Sequence, residues 1–452
     1  MIRYGVDNFR GFRGKLRYWL SARDAYGSIS LIISIAFALG ITPYLVRINS
    51  QGESHLRQSW YGFVNAISRW LLLAYCYSYV HLSNESLIGY FMRNHVSQIS
   101  TSLHDVGGII MAIFTFILPL LLRKNFLKSV KNMVEADKRL ERLRCPVNFN
   151  TVVGLVVLVL SLVITVDTIL LTTCLFCLSN MDVHASWQLT FILVYELMAI
   201  SITITMYCLM TRTVQRRFVC LHRVLKNLAH QWDTRALKAV TQKQRSLQCL
   251  DSFSMYTIVT KDPAEIIHES MEIHFLICEA AATANKYFTY QLLTIISIAF
   301  LIIVFDAYYV LETLLGKSKR ESKFKTVEFV TFFSCQMILY LIAIISIVEG
   351  SNRAIKKSEK TGGIVHSLLN KTKSAEVKEK LQQFSMQLMH LKINFTAAGL
   401  FNIDRTLYFT ISGALTTYLI ILLQFTSNSP NNGYGNGSSC CEMYNNLTNS
   451  TV

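Results

Sequence analysis

Helix breakers and charge are both scarce in this chain. Its 452 residues hold five prolines, and only Pro119 falls inside one of the seven spans assigned below. Transporters that alternate access commonly use broken helices. With no internal repeat visible either, a transporter is disfavoured. Charged residues make up 16% of the sequence, against ~25% in soluble domains. An HExxH motif, a phosphate-binding loop and a paired nucleophile and base are missing, so no metal, cofactor or enzymatic reaction is indicated. The last apolar run lacks Asn-Pro-x-x-Tyr, and Asp404-Arg405 precedes the last span instead of closing the third. Both facts count against a rhodopsin-like receptor.

What is present is apolar: 52% of the residues, with mean hydropathy +0.35. The net charge is +16. In a soluble protein that excess would point to nucleic acid. Here the basic residues fall between apolar runs, as orientation in a bilayer requires, and no nucleic-acid partner is expected. The 11 cysteines are scattered, mostly within or beside those runs, where the small polarizable side chain packs. Cys440-Cys441 in the C-terminal stretch is the exception and is open to oxidation if it lies outside. Arg3, Arg10, Arg13, Lys15, Arg17 and Arg23 precede the first apolar run, which begins too late for a cleaved leader.

A span needs about 20 mostly apolar residues. Eight runs qualify: 28–46, 60–82, 104–122, 149–178, 187–210, 288–312, 326–348 and 406–425. The first contains Gly40 and Pro43 and ends at Arg47, which suits a cytosolic or interfacial segment. Seven spans with the N-terminus inside put 37 of the 44 Lys and Arg in the cytosolic parts 1–59, 123–148, 211–287 and 349–405. Arg69 lies within a span, and six lie outside. Eight spans would move the basic stretch 123–148 outside and the Lys/Arg-free tail inside. The expectation is an all-α, multi-pass plasma-membrane protein with a cytosolic N-terminus and an extracellular C-terminus. Its parts are an N-terminal segment 1–59, six helices in 60–348, a cytosolic linker and anchor 349–405, a seventh helix 406–425 and an outer tail 426–452.

Glycosylation signals agree with this arrangement. Asn84, Asn436, Asn446 and Asn449 each begin an N-x-S/T sequon, and all four fall in segments assigned outside. The outer loop 313–325 departs from the charge rule with Lys317, Lys319, Arg320, Lys323 and Lys325. Inside, 211–250 and 371–403 read as helical. Val377, Leu381, Phe384, Leu388, Leu391 and Phe395 recur at three or four, a stripe that must pack on something in water.

Polar residues gather in the outer halves of the spans. The second begins with His104 and Asp105. The third offers Asp167, Thr168 and Thr172, and the fourth Trp187, Gln188, Tyr195 and Glu196. The fifth offers Asp306, Tyr308, Tyr309 and Glu312, and the sixth Phe332, Phe333, Gln336 and Tyr340. Carboxylates inside spans usually face the bundle interior or water. Several of them at one level with aromatic rings predict a polar and aromatic pocket open to the outside. The candidate ligand residues are Asp167, Thr168, Trp187, Tyr195, Glu196, Asp306, Tyr309, Phe333, Gln336 and Tyr340. Solvation at the interface is the favoured account of Asp105 and Glu312, and an aromatic belt is the alternative for Trp187 and Tyr195. Asp167, Glu196 and Asp306 lie several residues inside spans that hold no Lys or Arg. Their alternative is internal hydrogen bonding to neighbouring Thr and Tyr hydroxyls.

The last span ends Thr417-Tyr418-Leu419-Ile420-Ile421-Leu422-Leu423-Gln424-Phe425. Thr-Tyr, five apolar residues and Gln-Phe resemble the C-terminal signature of insect gustatory receptors. Ala398-Gly399-Leu400-Phe401-Asn402-Ile403-Asp404-Arg405 and Ala38-Leu39-Gly40-Ile41-Thr42-Pro43-Tyr44 resemble further stretches of that family. The segment from Ala38 to Trp60 is similar to its fructose-type clade. The resemblance implies a seven-helix, ligand-gated, non-selective cation channel, homotetrameric or heteromeric with other gustatory receptors. It also implies a tastant pocket in the extracellular half. Helical spacing puts Ala414, Tyr418, Ile421, Gln424 and Phe425 near one face. A ring of apolar side chains from several subunits can close a pore by dewetting, and a small rotation exchanging Phe425 for Gln424 would admit water. The resemblance supports those two positions as the narrowing. The tastant would be a sugar or a bitter compound. Sugar sites usually stack a Trp on the sugar, and the sixth span has none; carboxylates and tyrosines suit a cationic or aromatic compound better. The alternative function is a seven-helix receptor acting through a cytosolic partner without a pore of its own.

Overall fold

The computed structural model describes residues 24–48, 54–86, 95–180, 185–244, 262–315 and 326–427. The described residues open with a helix α1, Ala25–Ala38, capped by the Asp24 carboxylate, which accepts from the Gly27 amide. Its 14 residues cover ~21 Å, short of a ~30 Å hydrocarbon core. Gly40, at φ +75°, turns the chain into an antiparallel hairpin of β1, Tyr44–Ile48, and β2, Ser54–Gln58. The stretch 28–46 is therefore not a span.

The first crossing helix is α2, Trp60–Leu82. Its polar residues are engaged: Asn65 donates to the Phe37 carbonyl at 2.7 Å, and the Arg69 guanidinium lies 5.9 Å from the Tyr195 ring centroid. The second crossing, α3, runs from His95 to Ala112, continues through a π-helical turn Ile113–Ile117 that precedes Pro119, and closes with Leu118–Leu121. A cytosolic helix α4, Arg123–Arg142, follows. Then come α5, Phe149–Asn180; α6, Trp187–Gln244; α7, Pro263–Leu314; and α8, Thr326–Lys371. A short helix α9, Ala375–His390, leads to a two-stranded elbow, β3 (Thr396–Ala397) and β4 (Phe401–Asn402), and to α10, Thr406–Ser427. Among the described residues six of these helices are long and apolar enough to cross a membrane; α2, less apolar but 23 residues long, has the length to make the seventh.

Helices α6, α7 and α8 have 58, 52 and 46 residues, far more than a span needs. In each, the apolar portion changes into a polar, charged one with no proline at the change, so the helix continues past the membrane surface, in α8 through Gly350. The extensions pack with α4 and α9 into a cytosolic bundle, so that bundle draws on more of the chain than 349–405. Its core holds Phe218, Leu221, Leu225, Ile273, Ile277 and Phe384, each fully buried. The predicted stripe faces that core: Val377, Leu381, Phe384 and Phe395 are buried, and Leu388 packs against them.

Ion pairs tie α4 to its neighbours. Lys128 meets Glu279 at 2.6 Å and Arg139 meets Glu269 at 3.2 Å. Arg217 and Asp137, 5% and 8% exposed, pair at 2.5 Å. Burial pushes the Asp137 carboxyl up from its ordinary range, and Arg217 pulls it back. The elbow is pinned to α7. Asn285 and Thr396 exchange hydrogen bonds, and the Ala398 amide donates to the Thr289 hydroxyl at 2.6 Å.

Candidate functional site

In the outer half of the bundle α2, α3, α5, α6, α7 and α8 enclose a cavity of ≈ 140 Å³. An apolar cavity near 150 Å³ accommodates a benzene-sized molecule. Most of the wall is aliphatic or aromatic, including Leu170, Ile192, Ile298, Leu301, Phe305 and Phe332. Four carboxylates break the apolar lining: Glu85, Asp105, Glu196 and Asp306. Among the described residues no Lys or Arg lines it.

Each carboxylate has a different setting. The Tyr77 hydroxyl donates to Glu196 at 2.6 Å, joining α2 to α6. Asp105 lies 3.8 Å from His81, an imidazole 77% exposed. Asp306 is 3% exposed, and its Oδ2 has no hydrogen-bond partner among the described residues; the same is true of Glu85 Oε2. A buried carboxylate oxygen without a donor is costly unless a cation or donor reaches it.

Glu196, Asp306, Phe333, Gln336 and Tyr340 of the candidates line the cavity. Phe333 belongs to an aromatic cluster with Phe329, Phe332 and Tyr309, the Tyr309 ring 5.2 Å from it, so Tyr309 stands behind the wall. Asp167 also lies outside the lining: Ser201 donates to it at 3.0 Å, tying α5 to α6. Tyr195 donates to the Leu39 carbonyl and stacks between Phe116 and Phe191, holding α6 against the end of α1. Thr168 bonds back to the Ile164 carbonyl on an exposed face, and Trp187 is 59% exposed at the outer end of α6.

Sequence reasoning missed Tyr77, Glu85, Ser86 and Gly108. Gly108 stands where a Cβ would meet the Tyr77 hydroxyl at 2.0 Å, so α3 needs glycine there for the Tyr77–Glu196 bond to form. The Gly107-Gly108 pair inside a span was the available signal of close approach. Ser86 and Glu85 belong to the Asn84 sequon, whose asparagine is exposed at the outer end of α2. Asn436, Asn446 and Asn449 lie outside the described residues. Cys174 and Cys177, one helical turn apart on α5, are buried in the aromatic cluster. Among the described residues no group of three or more His, Cys, Asp or Glu is placed to hold a metal.

Helix α10 is the least covered crossing: 6% of its apolar window is buried. Tyr418 is 52% exposed and meets Phe300 edge-on at 6.0 Å. Ile421 and Gln424 are also exposed, while the Phe425 side chain lies outside the described residues. At the base of α10, Arg405 reaches Glu349 of α8 through two bonds of 2.8 and 3.1 Å.

Membrane-length helices around an outward cavity lined by carboxylates, with long helical extensions below, make this a multi-pass membrane protein with a small-molecule chamber. The chain belongs to the insect gustatory receptors within the 7tm Chemosensory receptor family, whose family model matches residues 29–429. It is 58% identical to gustatory receptor 28b of Drosophila melanogaster over 97% of this chain and 94% of that one. Gustatory receptor 28a of the same organism is 32% identical over 87% and 92%. The insect olfactory receptor OR5 from Machilis hrabei has the same fold, with a TM-score of 0.59 at 13% identity over 91% of this chain and 99% of that structure. The chain is thus a multi-pass plasma-membrane protein of taste and chemoreception.

Proposed function

We propose that this receptor is itself a ligand-gated, non-selective cation channel, opened from outside by a small tastant that carries positive charge. The observation behind the ligand class is the cavity wall: four carboxylates, no Lys or Arg, and an Asp306 oxygen without a donor. An ammonium group would satisfy that oxygen, and the Phe305, Phe332 and Phe333 rings offer cation–π faces. A neutral sugar could donate a hydroxyl to that oxygen but would leave the carboxylate charge in a largely apolar chamber uncompensated, so a cationic bitter compound is the preferred reading.

The bare faces of α10 support a pore built from several copies. Phe409, Tyr418, Ile420 and Ile421 are exposed in the single chain, and a homotetramer or a heteromer would turn one such face to a shared axis. Tyr418, Ile421, Gln424 and Phe425 would then line the path of permeating cations. Membrane lipids would cover the outward faces. Asn84 is proposed as a glycan site.

The test is a panel of permanently charged amines, each paired with its neutral isostere, applied to wild type and Asp306→Asn. Cations alone should activate wild type, and Asp306→Asn should raise their half-maximal concentration at least tenfold. Equal responses to both members of each pair would remove the charge argument.

A further inference from the structure

A second built site lies at the opposite face of the membrane. Because its strands pair in register, with Leu45 opposite Arg57 and Arg47 opposite His55, those four side chains share one face of the β1–β2 hairpin. Tyr44, Val46 and Leu56 occupy the other face and pack on the core. Arg47, His55 and Arg57 are exposed. The hairpin runs directly into α2, whose first residues Trp60 and Tyr61 are 77% and 81% exposed.

Between hairpin and helix is a cavity of ≈ 200 Å³, lined by Leu45, Arg47, Arg57, Gln58, Ser59, Trp60 and Tyr61. No carboxylate lines it, and among the described residues neither arginine is paired with one. The charge distribution puts this face in the cytosol, at the level where the first span begins. Two exposed aromatic rings at that level suit the headgroup zone. Two guanidiniums without a carboxylate partner among the described residues suit a phosphate, which they can hold through paired N–H donors.

We infer that this hairpin pocket binds the headgroup of an anionic phospholipid of the inner leaflet. Arg47 and Arg57 would hold the phosphate, Gln58 and Ser59 would offer polar contacts to the remainder of the headgroup, and Trp60 and Tyr61 would lie along the glycerol and upper acyl region. Six further Lys and Arg in residues 1–23 add long-range attraction to the same leaflet. The hairpin is anchored to the receptor, with Tyr44 donating to the Arg123 carbonyl at 2.7 Å and the Ser59 amide to the Pro43 carbonyl at 2.9 Å. A lipid held there would therefore steady the entry to α2. This site is independent of the outer cavity.

The full chain would be purified from vesicles of phosphatidylcholine mixed with phosphatidylinositol phosphate, and the retained lipid measured by native mass spectrometry. Wild type should retain the anionic lipid over phosphatidylcholine, and R47Q/R57Q should lose about 30-fold in retention. R47K/R57K, which keeps the charge but not the paired donors, should lose less. An unchanged thermal transition would confirm that the exposed substitutions leave the fold intact; should the double variant lose that transition, Arg57→Gln alone repeats the measurement. Equal retention by wild type and R47Q/R57Q would overturn the proposal. Displacement of the lipid by soluble inositol phosphate at equal concentration would overturn the assignment to a membrane lipid.

Discussion

Tyr77 and Glu196 close the inner end of the outer cavity with one hydrogen bond of 2.6 Å, between helices that cross the membrane in opposite directions. Below the pair lies a small space of ≈ 10 Å³, lined by Leu73, Met111, Thr115 and Phe116, so the bond separates a ligand-sized chamber from packed core. Tyr77→Phe removes the donor and leaves Glu196 short of a partner, a loss of about 1–3 kcal/mol. Gly108→Ala drives a methyl into the tyrosine hydroxyl and should act in the same direction. Both variants should right-shift the ligand dose response while reaching the cell surface; an unchanged response in both would take the pair out of the site.

The pair Glu349–Arg405 joins the cytosolic end of α8 to the start of α10, with Arg353 adding a longer contact of 3.5 Å. Arg405 holds the Glu349 carboxyl below its ordinary value of 4.5. That stabilisation is present above the ordinary value and is lost only as pH falls through the still lower folded value. Mild cytosolic acidification should therefore leave gating unchanged. Arg405→Glu should alter open probability, and the exchange Glu349→Arg with Arg405→Glu should recover it. Failure of the exchange to recover any gating would show that the charges do not act on each other.

Stability should be sensitive to acid for a different reason. His222 and His274 are buried in the cytosolic bundle, and burial pushes both down to about 4, with Lys357, Lys226 and Lys360 adding to the effect on His222. The folded chain thus binds fewer protons than the unfolded chain between that value and the ordinary 6.5. Stability should be full above 6.5 and fall as pH drops through this window. Thermal unfolding of the purified receptor would check it: the transition should move down on acidification, and less so in His274→Gln, which keeps a polar group beside Gln387.

Asp137→Ala strands a buried guanidinium in the bundle and should cost about 3–5 kcal/mol. Replacing both partners with apolar residues, as in Asp137→Leu with Arg217→Met, should recover most of it. The check is the unfolding temperature of the two variants side by side. A single variant as stable as wild type would mean that water reaches Arg217.

Much of this architecture was legible from hydropathy and charge. The first span, 60–82, coincides with α2, because its ends are marked by Ser59 and Ser83 where the apolar run stops. The cytosolic stripe was legible because water forces an amphipathic helix to pack. The extension of α6 was legible in part, since 211–250 reads as helical, but the unbroken lengths of α7 and α8 were not, since an apolar window ends at the membrane surface while the helix does not. In the outer cavity, Glu196 and Asp306 stood out because carboxylates are rare in spans. Asp167 stood out for the same reason yet is held by Ser201, a pairing between helices that sequence spacing does not encode. Tyr77 was hidden among Tyr75 and Tyr79 on a helix that needed a contact map to orient it.

The proposed function requires that this chain conduct ions itself. It is tested most directly by patch-clamp recording from cells expressing it alone, with G-protein signalling blocked and a cationic ligand applied outside. A fast cation current is expected, and its permeation or gating should change in Gln424→Ala at unchanged surface expression. A response abolished by the G-protein block would contradict it and point to a receptor acting through a cytosolic partner.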